Sequence, residues 1–463
     1  MTKADTRRAA PASTPTPSFE RQGRGVEVRP FRALLYDRRR FPDLSPVLAP
    51  PYDVIDAAER QLLLERHRHN CVRLVLPEIP QRKPEAQKYV QAGRLLRCWL
   101  CQGVFREMEE PAVFVLREEF ELEGRWYNRT SFIAAVRVEP LGQGPIYPHE
   151  ETMGEARRDR LALLRATRTN LSLVMSFFAD HAPGRGQPGA VTALLKEAYR
   201  DGPLLRATGP RGVRLSLWAV TDRGVVSRLS SEMAGRELFI GDGHHRYETA
   251  LAFAQSEGAL GSSDPQGAGF IPMHCMPMED PGVLALPTHR LFPAELGVDE
   301  EQMLEHAREC FEVEEVSNPG LGLAGLREAM RQRGDEHVFG LYGRNRRAHL
   351  LSLRDESVLD ELEVPYDHEA RRLDVCVFQE LIVRQLFGLE FSVAAKDGTL
   401  RFVHTFLEGQ ERVESGEIAM AFFVNPTPVA TIPAIARRGG VMPPKSTYFF
   451  PKVPSGLLFR LIR

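Results

Sequence analysis

The stretch ELFIGDGHHRYETALAFAQSEG, residues 237–258, joins a strand-like apolar run to a helix-like segment through two glycines. Its first residues, ELFI, predict the end of a strand. Gly241 and Gly243 then permit backbone angles and a close approach to a ligand that a Cβ atom would forbid, so both are candidate ligand-binding residues. The following HRYETALAFAQSEG predicts a helix with Gly258 at its C-terminal cap. The segment therefore predicts a strand, a glycine turn and a helix in direct succession.

The start of this helix is a predicted anion-binding site. Its first N–H groups have no partner inside the helix, and the helix dipole makes that end positive. Arg246 adds donors suited to phosphate or carboxylate, and His244 and His245 supply donors or a proton carrier near neutral pH. Asp242 has two interpretations, as the N-cap of the helix or as a group that orients a histidine or Mg²⁺. A purely structural turn is the alternative for the whole segment.

The composition limits the class of protein. A chain of 463 residues suggests two domains or one large composite core. The chain has 60 basic and 62 acidic side chains, so it has no excess positive charge to attract nucleic acid. No apolar run approaches the roughly 20 residues of a bilayer span, and the N-terminus lacks the apolar segment of a signal peptide. We expect a cytoplasmic protein without a nucleic-acid or membrane partner, and an oligomer is possible.

Six cysteines over this length fit reduced thiols. Cys98 and Cys101 form a C-x-x-C motif, but no second pair follows at the spacing of a zinc site. The surrounding AGRLLRCWLCQG predicts an amphipathic helix that ends at Gly103. We therefore expect buried core thiols there instead of a metal or redox site.

Mixed helix and strand patterns along the chain predict an α/β or α+β fold with mixed sheets. Residues 1–25 are rich in Pro, Thr, Ala and Arg and predict a disordered tail. Residues 26–295 predict a phosphate- or nucleotide-binding domain, in which CVRLVLPE is a buried strand and a hairpin turns at Gly124. Residues 296–463 predict a second α/β domain that closes with a proline-rich strap, MPPKSTYFFPKVPSGLL.

Two further segments carry candidate catalytic and ligand-binding residues. YPHEET places His149 and Glu150 as an acid–base pair before an arginine-rich helix, although His149 is alternatively a polar residue whose hydrogen bonds are satisfied. In the strap, prolines stiffen a backbone whose lysines and hydroxyls suit a phosphorylated ligand, and the alternative is a rigid strap packed by its aromatic side chains. The strap candidates are Lys445, Ser446, Thr447 and Lys452.

Two short motifs supply candidate substrate contacts. LPTHRLF repeats the pairing of a histidine with an arginine, which predicts that His289 and Arg290 face the same pocket. APPYDVI offers Tyr52 and Asp53 on a proline-stiffened loop, either as a simple turn or as a substrate or metal contact.

Five blocks of the chain resemble the bacterial and archaeal family Domain of Unknown Function 1015. In order, they are APPYDVI at 49–55, YPHEET with RDRLALLRATRTN within 147–170, GDGHHRYETAL at 241–251, PTHRL at 287–291 and MPPKSTYFFPK at 442–452. The chain departs from the family pattern at LSLVMSFF, where the family tends to have a proline and a tyrosine. It also has Gly241 where alanine is usual.

A shorter segment resembles the phosphate-binding box of the partition-protein and sulfiredoxin superfamily, which includes free-serine kinases. In that box a histidine, an arginine and a helix N-terminus hold nucleotide phosphates. The resemblance, about six residues long, implies that Gly243, His245 and Arg246 contact phosphate.

The favoured hypothesis is phosphoryl transfer with ATP or ADP and Mg²⁺. Helix-end amides, Arg246 and a lysine would hold the phosphates, and Asp242 and Glu150 would be the metal ligands. Glu150 or a histidine, His149 or His245, would take the proton from the attacking hydroxyl, and Asp242 would assist. The resemblance implies serine as the substrate, or phosphoserine in the reverse or hydrolytic direction.

Two alternatives are a nucleotide-binding regulator without turnover and a metal-dependent hydrolase. The hydrolase would use His244, His245 and Glu248 together with His149. However, adjacent helix residues point about 100° apart, and the chain has no H-x-x-x-H pair.

Overall fold

The computed structural model describes residues 25–78, 84, 86–150, 154–181, 184, 187–316 and 323–463. The predicted disordered tail, residues 1–25, lies outside these ranges except for its last residue. Within the described ranges, no helix combines the length and the apolar character that a membrane span requires.

Nine strands of the described residues form one sheet, which we call the large sheet. Eight lie side by side in the order Ile146–Tyr147, Leu238–Asp242, Val174–Phe178, Phe270–Pro277, Arg125–Arg137, Val113–Leu122, Arg214–Val220 and Leu205–Thr208. The ninth, Val28–Arg29, pairs with Arg125–Arg137. Leu238–Asp242 runs parallel to one neighbour and antiparallel to the other, so the sheet is mixed, as the sequence predicts.

Both faces of the large sheet are buried. Along Val113–Leu122, Phe114 and Leu116 pack into one apolar cluster, whereas Val113 and Val115 pack into another. Because successive side chains of a strand point to opposite faces, each face needs its own cover of helices. This arrangement produces the buried apolar runs seen in the sequence.

A second sheet, the small sheet, contains six antiparallel strands of the described residues. Their order is Phe311–Glu315, Ala348–Leu353, Val338–Gly343, Ile418–Val424, His289–Pro293 and Arg401–Val403. Short two-stranded pairs join Leu34–Tyr36 with Phe105–Glu107, Leu284–Leu286 with Tyr448–Phe450, and Thr169–Asn170 with Arg460–Leu461.

Helices surround the two sheets. In chain order, those of the described residues are Tyr52–Val54, Ala57–Arg66, Val72–Val75, Gln87–Cys101, Gly154–Thr167, Ala190–Glu197, Ala198–Arg200, Pro210–Gly212, Arg223–Met233, His244–Ser256, Ala294–Leu296, Glu300–Ala307, Leu323–Gln332, Glu356–Leu359, His368–Arg371, Asp374–Val377, Phe378–Leu386, Phe391–Asp397, Phe406–Glu414 and Thr431–Arg437. Together with the sheets they confirm the predicted mixed α/β class.

The strap and the residues that follow it form two of these short pairs. Tyr448–Phe450 pairs with Leu284–Leu286, and Arg460–Leu461 pairs with Thr169–Asn170. Conversely, His289–Pro293, which precedes the predicted boundary near residue 295, belongs to the small sheet. The division of the chain into two domains at that boundary stays a prediction.

Two local predictions are wrong, for identifiable reasons. CVRLVLPE forms a helical turn, Val72–Val75, because the side chain of Asn70 accepts a hydrogen bond from the N–H of Val72 at 2.9 Å. The helix Gln87–Cys101 turns Trp99 inward and leaves the thiols of Cys98 and Cys101 exposed, so they are not core thiols. The hairpin at Gly124 is confirmed.

Candidate functional site

The predicted strand, turn and helix are present. Strand Leu238–Asp242 is followed by Gly243, and His244–Ser256, which we call the site helix, begins immediately after this glycine. Gly243 has a left-handed φ of 93°, and a Cβ there would lie 2.8 Å from Nε of Arg246. Glycine is therefore required at this turn by backbone angle and by space. At the far end, Gly258 is also left-handed, one residue after the C-cap.

Gly241 has a different role from the one predicted. A Cβ at this position would lie 2.1 Å from the ring of Phe177 on the neighbouring strand. The missing side chain makes room for an aromatic ring in the core instead of for a ligand. Phe177 belongs to LSLVMSFF, so the two departures from the family pattern are in contact with each other.

Asp242 lies at the centre of a partly buried ionic cluster. It pairs with Nη2 of Arg246 and, at 2.6 Å, with Nζ of Lys452, which in turn contacts Asp53 at 2.7 Å. Burial by itself would raise the pKa of Asp242, but the charges of Lys452 and Arg246 outweigh it and lower that pKa. The N-cap interpretation is wrong, because Gly243 is the N-cap and no side chain bonds to the helix end.

Arg246 is held firmly in this cluster. Nη1 donates to the carbonyl of Leu173, Nη2 donates to Asp242, and Nε is buried with no hydrogen-bond partner among the described residues. Burial opposes its charge, but Asp242 and Asp53 raise its pKa above the ordinary value. An anion that binds here must therefore compete with the Asp242 carboxylate.

Two histidines of the site, His149 and His244, are buried instead of lying on its surface. His149 is completely buried: Nδ1 donates to the carbonyl of Ile240 at 2.6 Å, and Nε2 accepts from the hydroxyl of Thr447 at 3.0 Å. Its backbone N–H points to Nε2 of His244 at 3.3 Å. Burial lowers the pKa of His149 to about 4. Burial and the neighbouring His149 lower the pKa of His244 well below its usual value. Both rings are therefore neutral and support the turn.

Glu150 is a carboxyl group of the site whose pKa is shifted toward neutral pH. Burial, followed by the charge of Asp242, raises its pKa to about 7, although Lys445 and Lys452 act in the opposite direction. Its side chain keeps 30% exposure, and one carboxylate oxygen lies 3.9 Å from Nε2 of His149. A carboxyl group with this pKa exchanges its proton near neutral pH.

Tyr52 and His245 lie beside the ionic cluster. The guanidinium of Arg160 covers the ring of Tyr52 at 4.0 Å, and Tyr52 precedes the Asp53 carboxylate that binds Lys452. His245 is half-buried on the first turn of the site helix, and burial lowers its pKa despite the charge of Glu248.

The strap brings some of its predicted residues to the site. Thr447 bonds to His149, and Lys452 bonds to Asp242, as described above. Lys445 is exposed, with Nζ 5.7 Å from the ring of Phe402, and its charge reaches Glu150. Ser446 is buried and its hydroxyl donates to the carbonyl of Pro443 at 2.5 Å, so it serves the conformation of the strap instead of a ligand.

The prediction that His289 and Arg290 share this pocket is corrected. His289 is buried between the rings of Phe406 and Phe423. Arg290 lies 5.4 Å from the ring of Phe378 and donates to a neighbouring backbone carbonyl. Both side chains pack between the small sheet and its helices, because strand His289–Pro293 lies between two other strands of that sheet.

Sequence reasoning missed the pair that anchors the strap. Arg129 and Glu118 are fully buried and 2.7 Å apart. Arg129 also donates to the carbonyls of Phe450, at 3.3 Å, and Pro451, at 2.8 Å, directly before Lys452. The signal was available, since Glu118 and Arg129 are opposite each other in the predicted hairpin and carry opposite charges.

The described residues contain no group of three or more His, Cys, Asp or Glu arranged to hold a metal ion. Between Asp53 and Asp242 the ammonium of Lys452 takes the place that a cation would need. The protein groups alone thus do not fit Mg²⁺, and the role of Asp242 and Glu150 as metal ligands stays a prediction. The metal-hydrolase alternative loses its basis in the described residues, because His149 and His244 bond internally.

A cleft opens beside Arg246. It lies between Tyr52, Arg160 and the site helix, and its empty space, open solvent included, is about 460 Å³. Its position next to the cluster gives a ligand room to approach Arg246 from outside. The cluster and the cleft together form the candidate site.

Solved structures of other proteins share parts of this fold. A free serine kinase in complex with AMP is 14% identical, with 66% of this chain and 83% of that chain covered and a TM-score of 0.33. A conserved hypothetical protein from Pyrococcus furiosus is also 14% identical, with 67% and 90% covered and a TM-score of 0.32. Likeness at this level carries no argument about the site.

No curated protein matches the chain significantly. A family model does match, and it includes YPHEET, GDGHHRYETAL and PTHRL, which carry the resemblance noted in the sequence. The chain belongs to DUF1015, the family described as a protein of unknown function, whose model matches residues 28–376.

Proposed function

We propose that this protein transfers a phosphoryl group between a nucleotide, ATP or ADP, and the hydroxyl group of a small metabolite. The observation that carries the proposal is Glu150, a carboxyl group whose pKa of about 7 suits a general base or acid at neutral pH. It lies in the field of Lys445 and Lys452, the kind of cations that a phosphate requires.

In this proposal Glu150 takes the proton from the attacking hydroxyl. The phosphates bind at the turn after Gly243. The first hydrogen bond of the site helix runs from the N–H of Tyr247 to the carbonyl of Gly243 at 3.0 Å. The N–H groups of the earlier helical residues therefore point toward the turn, where an anion accepts from them. Lys445, exposed above the site, adds a positive charge. Because phosphoryl transfer depends on positioning and electrostatics, these groups need only hold the reactants in line.

The substrate that we propose first is serine, or phosphoserine in the opposite direction. Its support is the resemblance of the strand, glycine turn and His-Arg helix start to the phosphate-binding box of the superfamily that includes free-serine kinases. Serine also carries the small primary hydroxyl that Glu150 would deprotonate.

The regulator without turnover is a second candidate, and one observation favours it. Arg246 and Lys452 are both already paired with Asp242. A site whose cations are already neutralised suits reversible binding of a nucleotide. The phosphate would displace the Asp242 carboxylate from these cations as it binds.

Turnover and affinity separate the two candidates. Phosphoserine formation and consumption would be measured with ATP and with ADP for the wild type, Glu150→Gln and Arg246→Ala, with the exposed Arg158→Ala as the matched control. For an enzyme, Glu150→Gln lowers kcat by about 10²-fold or more while nucleotide Kd changes little. Arg246→Ala weakens nucleotide binding, and Arg158→Ala changes neither quantity.

The proposed enzyme fails if the wild type binds nucleotide but turns over neither serine nor phosphoserine. The regulator is then the better description. If Arg246→Ala leaves nucleotide Kd unchanged, the phosphate site itself is misplaced.

A further inference from the structure

The cleft beside Arg246, which we call the Tyr52 cleft, has a rigid wall. Arg160 lies over the ring of Tyr52 at 4.0 Å and is fixed by hydrogen bonds to the carbonyl of Val75 at 2.7 Å and to Asp159 at 2.7 Å. A guanidinium held over an aromatic face stabilises the ring in one orientation. The wall is therefore formed before any ligand arrives.

The floor of the cleft is apolar. Leu163, Leu164, Leu171 and Ile271 line it, and all four are buried in the folded chain. Hydroxyl groups of Ser172 and Thr249 lie among the lining residues. A surface of this kind favours a flat, largely apolar body with a few hydrogen-bonding atoms.

The lining does not suit a small zwitterion such as serine. No acidic side chain is among the described residues that line the cleft, so an ammonium group would find no partner there. Arg160 and Arg246 are already bonded to Asp159 and Asp242. A neutral ring loses less hydration on entering this cleft than a charged amino acid does.

The cleft also joins the ionic cluster directly. Arg246 lines the cleft and bonds to Asp242, and Tyr52 lines it one residue before Asp53. A ligand with a ring in the cleft would extend its charged end toward the start of the site helix.

From this geometry we infer that the Tyr52 cleft binds the nucleoside of the donor nucleotide, whose phosphates lie at the turn after Gly243. The inference rests on the proposed phosphate site. It adds the location and the chemical class of the uncharged part of the ligand, a neutral heteroaromatic ring on a sugar.

Calorimetric titration of the full chain with ADP, pyrophosphate and adenosine tests this assignment. Pyrophosphate needs only the phosphate site, adenosine needs only the cleft, and ADP needs both. Ser172→Phe places a ring in the cleft, and Tyr52→Ala removes its wall. Ser227→Phe, on the exposed surface of helix Arg223–Met233, is the matched control.

The wild type should bind ADP at least about tenfold more tightly than pyrophosphate, the effect of one stacked base. Ser172→Phe should abolish this difference and leave pyrophosphate Kd within about twofold of the wild type. Tyr52→Ala should weaken the binding of ADP and of adenosine by the same factor. If Ser172→Phe does not fold, Tyr52→Ala serves as the test variant in its place. Ser227→Phe should behave as the wild type.

The inference is overturned if ADP binds no more tightly than pyrophosphate, or if both cleft variants bind ADP like the wild type. In another outcome, pyrophosphate does not bind, whereas adenosine binds to the wild type but not to Ser172→Phe. This result refutes the phosphate site and supports the cleft as the nucleoside site. If none of the three ligands binds, the cleft assignment and the proposed function both fail.

Discussion

Replacement of Glu150 by glutamine should make the protein more stable at alkaline pH. Folding raises the pKa of Glu150 from an ordinary 4.5 to about 7, so the folded chain holds this proton more tightly than the unfolded chain does. The resulting stabilisation is complete below about pH 4.5 and is lost as the pH rises through 7. The pKa difference corresponds to about 3 kcal/mol, which the 30% exposure of the side chain reduces to about 2 kcal/mol.

Urea unfolding at pH 5 and pH 8 measures this effect. The free energy of unfolding of Glu150→Gln minus that of the wild type should increase by about 2 kcal/mol between the two pH values. The exposed Glu309→Gln is the control and should show no such increase. If the curves of Glu150→Gln and the wild type run parallel in pH, Glu150 is not a carboxyl group with a raised pKa. The general-base role then loses its physical basis.

Three further substitutions test the structure around the site. Gly241→Ala should destabilise the fold by about 1–3 kcal/mol through overlap with Phe177, and adding Phe177→Leu should restore most of the loss in thermal unfolding. Arg129→Met should lower the free energy of unfolding by about 3–5 kcal/mol, because it leaves Glu118 buried without a partner. The double variant Arg129→Met/Glu118→Leu should recover much of this stability in urea unfolding. No recovery would contradict the interpretation as a buried ion pair. Lys452→Met should remove this cation from Asp53 and leave Asp242 paired with Arg246 alone, and it should weaken pyrophosphate binding by about tenfold or more in calorimetry. An unchanged Kd would exclude this lysine from the anion site.

The local course of the chain around the site was predictable from short patterns. The end of strand Leu238–Asp242, the glycine turn and the site helix follow from an apolar run, two glycines and a helix-forming sequence. The hairpin at Gly124 follows from alternating residues on either side of a turn. These elements are decided by neighbours in the sequence, so the sequence suffices to locate them.

Local patterns failed where a distant group decided the outcome. The apolar CVRLVLPE became a helical turn because Asn70 also bonds the carbonyls of Pro46 and Leu48, which fixes the chain at its start. Gly241 looked like part of a phosphate loop, but it makes room for Phe177. The similar His-Arg pairs at 245–246 and 289–290 received the same interpretation, although of the two only the first lies at a helix start beside a cleft.

The sequence by itself determined the family, the mixed α/β class and the strand, turn and helix that hold Arg246. Only the tertiary structure decided which charges meet. Asp53, Glu150, Asp242 and Lys452 come from four separate segments, and the buried strap anchor at Arg129 sets where Lys452 lies. Electrostatic interaction depends on distance and burial in space, which a one-dimensional pattern does not encode. For the same reason the pKa of Glu150, on which the proposed chemistry depends, became visible only in the folded chain.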